Sequence, residues 1–474
     1  MPIQTLNPYT GKVEKTFDEF TESEVNQVIN RANESFQSWK NVSVSERASL
    51  MKEVAEILRK DEDHYARLMT TEMGKLFHEG KSWEVKVCAD IANYYANKAK
   101  TFLKKEPIGD VSMGNAYLEK HPIGVLFGIM PWNYPLYQVF RFVCPNIMAG
   151  NVCLVKHASN VPQCAKAIED LFAKAGFPKG VYTNLFVRSK LAGTVIEHPK
   201  VRGISFTGSE RAGASVAERA GKHLKKVVLE LGGSDPFIVL NDADLDYTIE
   251  MALVAKMFNN GQTCVAAKRF IIEEGIYDKF LNGLKDKMAR LVAGDPMLVS
   301  TTYCPMSSQG EVENLLEIIQ EAVEKGAILA LGGEKEDLEG AWLKPTILTH
   351  VDKTMRAGRE ELFGPVAVVY KVQNEEEAIE LANDSPYGLG SSIFSNNIEK
   401  AQALASRLET GMTFINSPTA SEPALPFGGV KNSGFGRELS SLGMDEFINK
   451  KLVRTIPNYL IWMKDFMENL GFKM

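Results

Sequence analysis

Apolar positions in the first third of the chain recur at helical spacing. Thr21 and Glu24 form the T-x-x-E pattern whose side chains satisfy the first free N–H groups of a helix. Val25, Val28, Ile29, Ala32, Phe36 and Trp39 then fall on one face. Ser43 and Glu46 repeat the start signal ahead of Leu50, Val54, Ile57 and Leu58. From residue 123 the period changes. Ile123–Met130 and Val152–Val155 read as buried strands, Pro162–Ala175 as a helix, and Tyr182–Phe186 and Ile204–Phe206 as strands. A helix starts at about Glu210, and a second strand–helix series runs from near Phe237 past Asn416. Apolar strands separated by helical crossovers predict parallel sheets covered on both faces. Such sheets take ligands at the carboxyl ends of their strands.

Composition narrows the function classes. The chain has 474 residues, 45% hydrophobic and 24% charged, which is room for two or three domains with ordinary cores. A net charge of -6 without a basic run argues against nucleic acid as a partner. The six cysteines include no C-x-x-C pair, and the seven histidines no H-x-x-H or H-x-x-x-H pair, so neither a metal site nor a disulfide framework is expected. The N-terminus lacks a basic start followed by an apolar core, and no apolar run approaches the ~20 residues of a membrane helix. A reducing, cytoplasmic location without membrane contact is the expectation.

Four segments carry possible chemistry. Phe206-Thr-Gly-Ser-Glu-Arg-Ala-Gly213 follows a strand and opens a helix; its free N–H groups suit a phosphate, although a tight turn would look the same. Asn259-Asn-Gly-Gln-Thr-Cys264 puts a cysteine on a polar loop, where a nucleophile and a small core residue are equally consistent. Glu230 lies in an apolar run, Val227–Gly233, so it needs a partner or carries a raised pKa and serves as a base. Pro131-Trp-Asn-Tyr-Pro135 closes a strand with a constrained turn and presents Asn133, an oxyanion donor or a simple turn residue.

Together and in this order, these segments resemble the aldehyde dehydrogenase superfamily. The resemblance extends to Glu72-Met-Gly-Lys75, Glu361-Leu-Phe-Gly-Pro365, Asn383–Leu389, Pro426-Phe-Gly-Gly429 and Ser433-Gly-Phe-Gly-Arg437. Lys156-His-Ala-Ser159, Leu229–Phe237 and Ala267-Lys-Arg-Phe-Ile271 are most similar to bacterial succinate-semialdehyde dehydrogenases. The resemblance implies an α/β fold with two doubly wound domains and a small β oligomerisation element. Residues 1–105, 122–232 and 433–451 would bind the cofactor, and 233–432 would carry catalysis. Residues 106–121 and 452–474 would form the assembly element with a C-terminal helix.

The family roles transfer onto matching positions. Cys264 matches the nucleophile, Glu230 the general base, and Asn133 the side-chain half of the oxyanion hole, with the Cys264 N–H as the other half. Lys156 and Ser159 match the adenosine-ribose site, Gly208 and Ser209 the pyrophosphate turn, and Glu361 the acid on the nicotinamide ribose. Trp132 and Phe363 also belong to the cofactor site. Ser159 stands where NAD-preferring relatives carry a glutamate, so NADP is expected over NAD. Arg141 and Ser421 match residues that bind a substrate carboxylate. Two positions depart from better-known members. Phe258 replaces a second arginine, which leaves room for other semialdehydes or for uncharged aliphatic or aromatic aldehydes. Ala266 replaces a switch cysteine, so no redox switch is expected. The resemblance also implies a homodimer or homotetramer, with Glu106–His121 and Leu452–Ile456 pairing across subunits. Beyond them, Tyr459, Trp462, Met463, Phe466, Met467 and Leu470 make one apolar helical face suited to packing on protein. A non-catalytic nucleotide-binding protein of this fold is the rival reading, and it predicts loss of Cys264, Glu230 or Asn133.

Overall fold

A computed structural model describes residues 3–109, 111, 114–456 and 459–472. Residues 1, 2, 110, 112, 113, 457, 458, 473 and 474, which fall within the expected domain bounds, lie outside the described residues. Both capping boxes form, at the heads of helices Glu22–Trp39 and Val44–Lys60. Their apolar stripes, Val25, Ile29 and Trp39 on one and Val54, Ile57 and Leu58 on the other, are buried.

The first large sheet has six strands in the order Gly434–Phe435, Lys226–Glu230, Val201–Thr207, Val125–Met130, Val152–His157 and Tyr182–Asn184. Its pairs are parallel except for the short Gly434–Phe435 edge. The second has seven strands in the order Ile328–Leu331, Thr346–Thr349, Val366–Val372, Ala267–Glu273, Asp235–Val239, Ser392–Phe394 and Phe414–Ile415. It too is parallel apart from its Ile328–Leu331 edge. Interior strands such as Ala267–Glu273 and Asp235–Val239 are buried at every position, as expected of a sheet covered on both faces.

The third sheet is antiparallel and corrects one expectation. Ile448–Thr455 pairs with Asn115–Pro122 within the same chain, Leu452 opposite Leu118, and Asn115–Pro122 pairs with Glu106–Ile108. Ile448–Thr455 therefore occupies an edge of this sheet. Past it, helix Tyr459–Asn469 leaves Tyr459, Leu460, Met463 and Phe466 exposed. Among the described residues, no helix is long and apolar enough to cross a membrane.

Candidate active site

Helix Leu245–Met257 hands the chain to a tight loop in which Asn259, Asn260 and Gly261 all adopt left-handed backbone, with φ of 54°, 55° and 71°. Asparagine and glycine tolerate that region best. A Cβ at Gly261 would stand 2.1 Å from the Gly364 carbonyl oxygen, so this approach requires glycine. The loop delivers Cys264 just ahead of strand Ala267–Glu273. Of the six cysteines, Cys264 alone is half-buried and the other five are buried.

Cys264 lies where two cavities of about 230 Å³ each meet, and Gln138 also borders both. One cavity is lined by Trp132, Asn133, Gly208, Ser209, Glu230, Glu361 and Phe363, at the carboxyl ends of the first sheet. The other is lined by Trp83, Tyr134, Tyr137, Phe258, Ser421 and Phe427. Burial pushes the Cys264 thiol up to about 12, against the opposing pull of Arg141 and Lys268.

Asn133 is held by three bonds. Its side-chain nitrogen donates to the Gln262 carbonyl (3.0 Å), while its own carbonyl accepts from Lys75 Nζ (3.0 Å) and Asn259 Nδ2 (3.0 Å). The amide nitrogen has a second hydrogen to offer toward the cavity that Asn133 and Cys264 share. Glu230 ends strand Lys226–Glu230, and its carbonyl accepts the Gly208 N–H (3.0 Å). Both carboxyl oxygens are buried without a hydrogen-bond partner among the described residues, and burial raises the group well above the usual carboxylate range. Of the two sequence alternatives for Glu230, a satisfying partner or a raised pKa, the first is not found among the described residues.

The first cavity fits a dinucleotide. Ser209 caps helix Glu210–Lys222 without a side-chain bond to it, so the first N–H groups of that helix remain available to an anion. A Cβ at Gly208 would lie 2.7 Å from the Phe206 ring, and one at Gly232 would lie 2.5 Å from Glu361 Oε2, so bare backbone forms this wall. Glu361 accepts from the Gly233 N–H (3.0 Å) and ion-pairs with Lys268 (3.2 Å). The Trp132 and Phe363 rings meet edge to face at 5.8 Å. Lys156 and Ser159 are not on this wall. Lys156 Nζ donates to the His157 carbonyl (2.9 Å), and burial pushes it down to about 8. Ser159 borders a small separate cavity with His157 and Asn184.

Arg141 requires a correction. It does not line the second cavity, whose wall carries no charged side chain among the described residues. Its guanidinium is fully buried, ion-paired with Glu438 and stacked on Phe427 at 4.3 Å and Tyr137 at 5.2 Å. Burial opposes its charge, but Glu438 and the neighbouring groups more than offset this and hold the proton on. Arg141 thus lies behind the wall, matched by a carboxylate. Ser421 does face the cavity and accepts from the Tyr137 hydroxyl (2.7 Å). Phe258 packs against Trp83 at 5.3 Å, filling aromatic wall where a second arginine would have stood.

Sequence reasoning missed several residues that shape the site. Glu84 ion-pairs with Lys75, and its Oε1 accepts the N–H groups of Leu136 (2.9 Å) and Tyr137 (3.1 Å) at the head of helix Tyr137–Ala149. Lys268 reaches the nucleophile loop from the following strand. A charged residue beside the apolar run Val265–Ala267 was the available signal for Lys268, while Glu84, between Lys81 and Lys86, carried none. Among the described residues no cluster of three or more His, Cys, Asp or Glu could hold a metal ion.

Residues 1–453 match the model of the aldehyde dehydrogenase family. The chain is 51% identical over 456 residues to a succinate-semialdehyde dehydrogenase [NADP(+)] of Deinococcus radiodurans, covering 96% of this chain and 95% of the relative. It is 45% identical to an aldehyde dehydrogenase of Paenarthrobacter nicotinovorans, covering 96% of this chain and 100% of the relative. The crystal structure of a succinic semialdehyde dehydrogenase from Streptococcus pyogenes with NADP+ superposes with a TM-score of 0.94 at 46% identity, over 96% of this chain and 99% of that one.

Proposed function

The chain belongs to the aldehyde dehydrogenase family, and we propose that it oxidises succinate semialdehyde to the free acid with NADP as the preferred acceptor. The observation that carries this reading is a half-buried cysteine at the junction of two cavities, one of them lined by Trp132, Gly208, Ser209, Glu361 and Phe363, beside a buried carboxyl without a hydrogen-bond partner among the described residues.

In this reading the Cys264 thiolate adds to the aldehyde carbon and forms a thiohemiacetal. The oxyanion is held by the Asn133 side-chain amide and the Cys264 N–H; one such donor is worth about 10²–10³ in rate. Bound NADP supplies the hydride acceptor when the thiohemiacetal is oxidised to a thioester. Trp132, Gly208, Ser209, Glu361 and Phe363 hold the cofactor, with Lys156 and Ser159 at its adenosine end. Glu230 then takes a proton from water, the hydroxide attacks the thioester, and Cys264 is released. Residues 1–105, 122–232 and 433–451 serve the cofactor, 233–432 serves catalysis, and 106–121 with 452–474 serves assembly. The reading includes a cytoplasmic homodimer or dimer of dimers, in keeping with six unpaired cysteines and an edge strand at Ile448–Thr455.

Ser421 Oγ, backed by the Tyr137 hydroxyl, is the proposed contact for the substrate carboxylate. A second reading, oxidation of an uncharged aldehyde, draws support from the aromatic wall without charges. The test compares kcat/KM for succinate semialdehyde and butanal in the wild type and in Ser421→Ala. Loss of a hydrogen bond to a charged group costs about 1.5–3 kcal/mol, so kcat/KM for succinate semialdehyde falls by about tenfold or more while butanal is spared. A wild type that prefers butanal, with Ser421→Ala affecting neither aldehyde selectively, replaces the first reading with the second. Arg141→Ala is a poor probe here, because it strands Glu438 as a buried unpaired charge at a cost of about 3–5 kcal/mol in stability.

A further inference from the structure

Behind the nucleophile loop a group of buried charged side chains plays no part in the chemistry just described. Lys268, four residues past Cys264, is buried at the start of strand Ala267–Glu273. Its Nζ donates to the Thr263 carbonyl (2.9 Å) and the Cys264 carbonyl (2.6 Å), and stands 3.2 Å from Glu361 Oε1.

We propose that Lys268 is a positioning residue that ties the Cys264 loop to Glu361, so that the placement of the nucleophile and the placement of the cofactor-ribose acid are mechanically and electrostatically one setting. This rests on the reading of Cys264 as nucleophile and Glu361 as ribose acid. A carboxylate at this point could swing freely, as glutamate side chains do. Here the Gly233 N–H and Lys268 Nζ converge on one of its oxygens, Oε1, and hold it in place. The same cation fixes the two carbonyls that flank the scaffold of the thiol, and so sets the direction of the Cys264 N–H used in the oxyanion hole.

Arg141 and Lys268 electrostatically favour the Cys264 thiolate, while Glu361 and Glu230 oppose it. Around Lys268 itself lie Glu361, Asp235 and Lys256. Lys256 is fully buried, its Nζ has no hydrogen-bond partner among the described residues, and burial holds it well below the ordinary lysine range. Arg141 is already matched by Glu438. Lys268 is therefore the adjustable cation of this group, shared between the loop and Glu361.

The test needs no turnover. Iodoacetamide alkylation of Cys264, mapped by peptide mass spectrometry, is followed against pH in the cofactor-free enzyme, and NADP affinity is measured by calorimetry. An opposite charge within ~4–6 Å typically moves a titration by 1–3 units. Lys268→Met is expected to raise the alkylation midpoint by about one unit or more and to weaken NADP binding about tenfold. Lys268→Arg, which keeps the charge, is expected to recover much of both. Should Lys268→Met fail to fold, Glu361→Gln gives the second probe: it is expected to lower the midpoint, and by less in a Lys268→Gln background than alone. Midpoints and NADP affinity in Lys268→Met equal to wild type, or strictly additive Glu361 and Lys268 effects, overturn the proposal. Absence of alkylation at Cys264 in the wild type would instead remove the functional reading on which it stands.

Discussion

At the scale of single residues, the site depends on two groups whose surroundings oppose their working forms. In the proposed reaction Cys264 acts as a thiolate and Glu230 as a carboxylate, yet burial raises both. For an acid with a raised pKa the deprotonated form gains population only as pH climbs toward that value. Activity is therefore expected to increase steadily from pH 6 to 9, and a pH profile of kcat/KM that is flat over that interval contradicts the assignment. The same residues show what a sequence can carry. Glu230 was legible because a carboxylate in the run Val227–Gly233 demands an explanation, and the structure supplies one in its two unpartnered oxygens. The position of Arg141 was not legible. Residue type and spacing cannot tell a guanidinium that lines a cavity from one that lies behind two rings, because the deciding fact is Glu438, 297 positions away in sequence (438 − 141).

At the scale of elements, the alternating strands and helices were readable because burial on both faces of a parallel sheet imposes continuous apolar runs. Strands Val125–Met130 and Val152–His157 and helix Pro162–Lys174 lie within a few residues of their sequence-based bounds. The joins between elements were not readable. Lys75 and Glu84 form a buried ion pair that caps helix Tyr137–Ala149, and Lys75 also fixes the Asn133 carbonyl. Lys75→Met leaves Glu84 without its counter-charge, a change worth about 3–5 kcal/mol for a buried pair. The expected result is a clearly lowered melting temperature together with a reduced kcat, as Asn133 loses a support. By contrast, a surface pair such as Lys166–Asp170 contributes at most about 1 kcal/mol. Equal effects from Lys75→Met and Lys166→Met on melting temperature are the outcome this account forbids.

At the scale of the whole molecule, the carboxyl ends of the first sheet's strands face the segments that lead into strands of the second, Cys264 before Ala267–Glu273 and Glu361 before Val366–Val372, and Cys264 sits where the two cavities meet. The fold class followed from the sequence pattern together with the family resemblance. The pairing of the third sheet did not, because an antiparallel pair within one chain and a pair between two chains have the same side-chain pattern. The last helix, Tyr459–Asn469, lies past the part of the chain that matches the family model and keeps its apolar face exposed. The central claim is that Cys264 carries the acyl group and Glu230 releases it. Rapid mixing of Glu230→Gln with NADP and succinate semialdehyde tests it most directly, with NADPH followed by absorbance and the acyl adduct by mass spectrometry. The account predicts a burst of NADPH approaching one equivalent per active site, an acyl group on Cys264, and slow turnover afterwards. Steady turnover at the wild-type rate, or a burst without an adduct on Cys264, contradicts it.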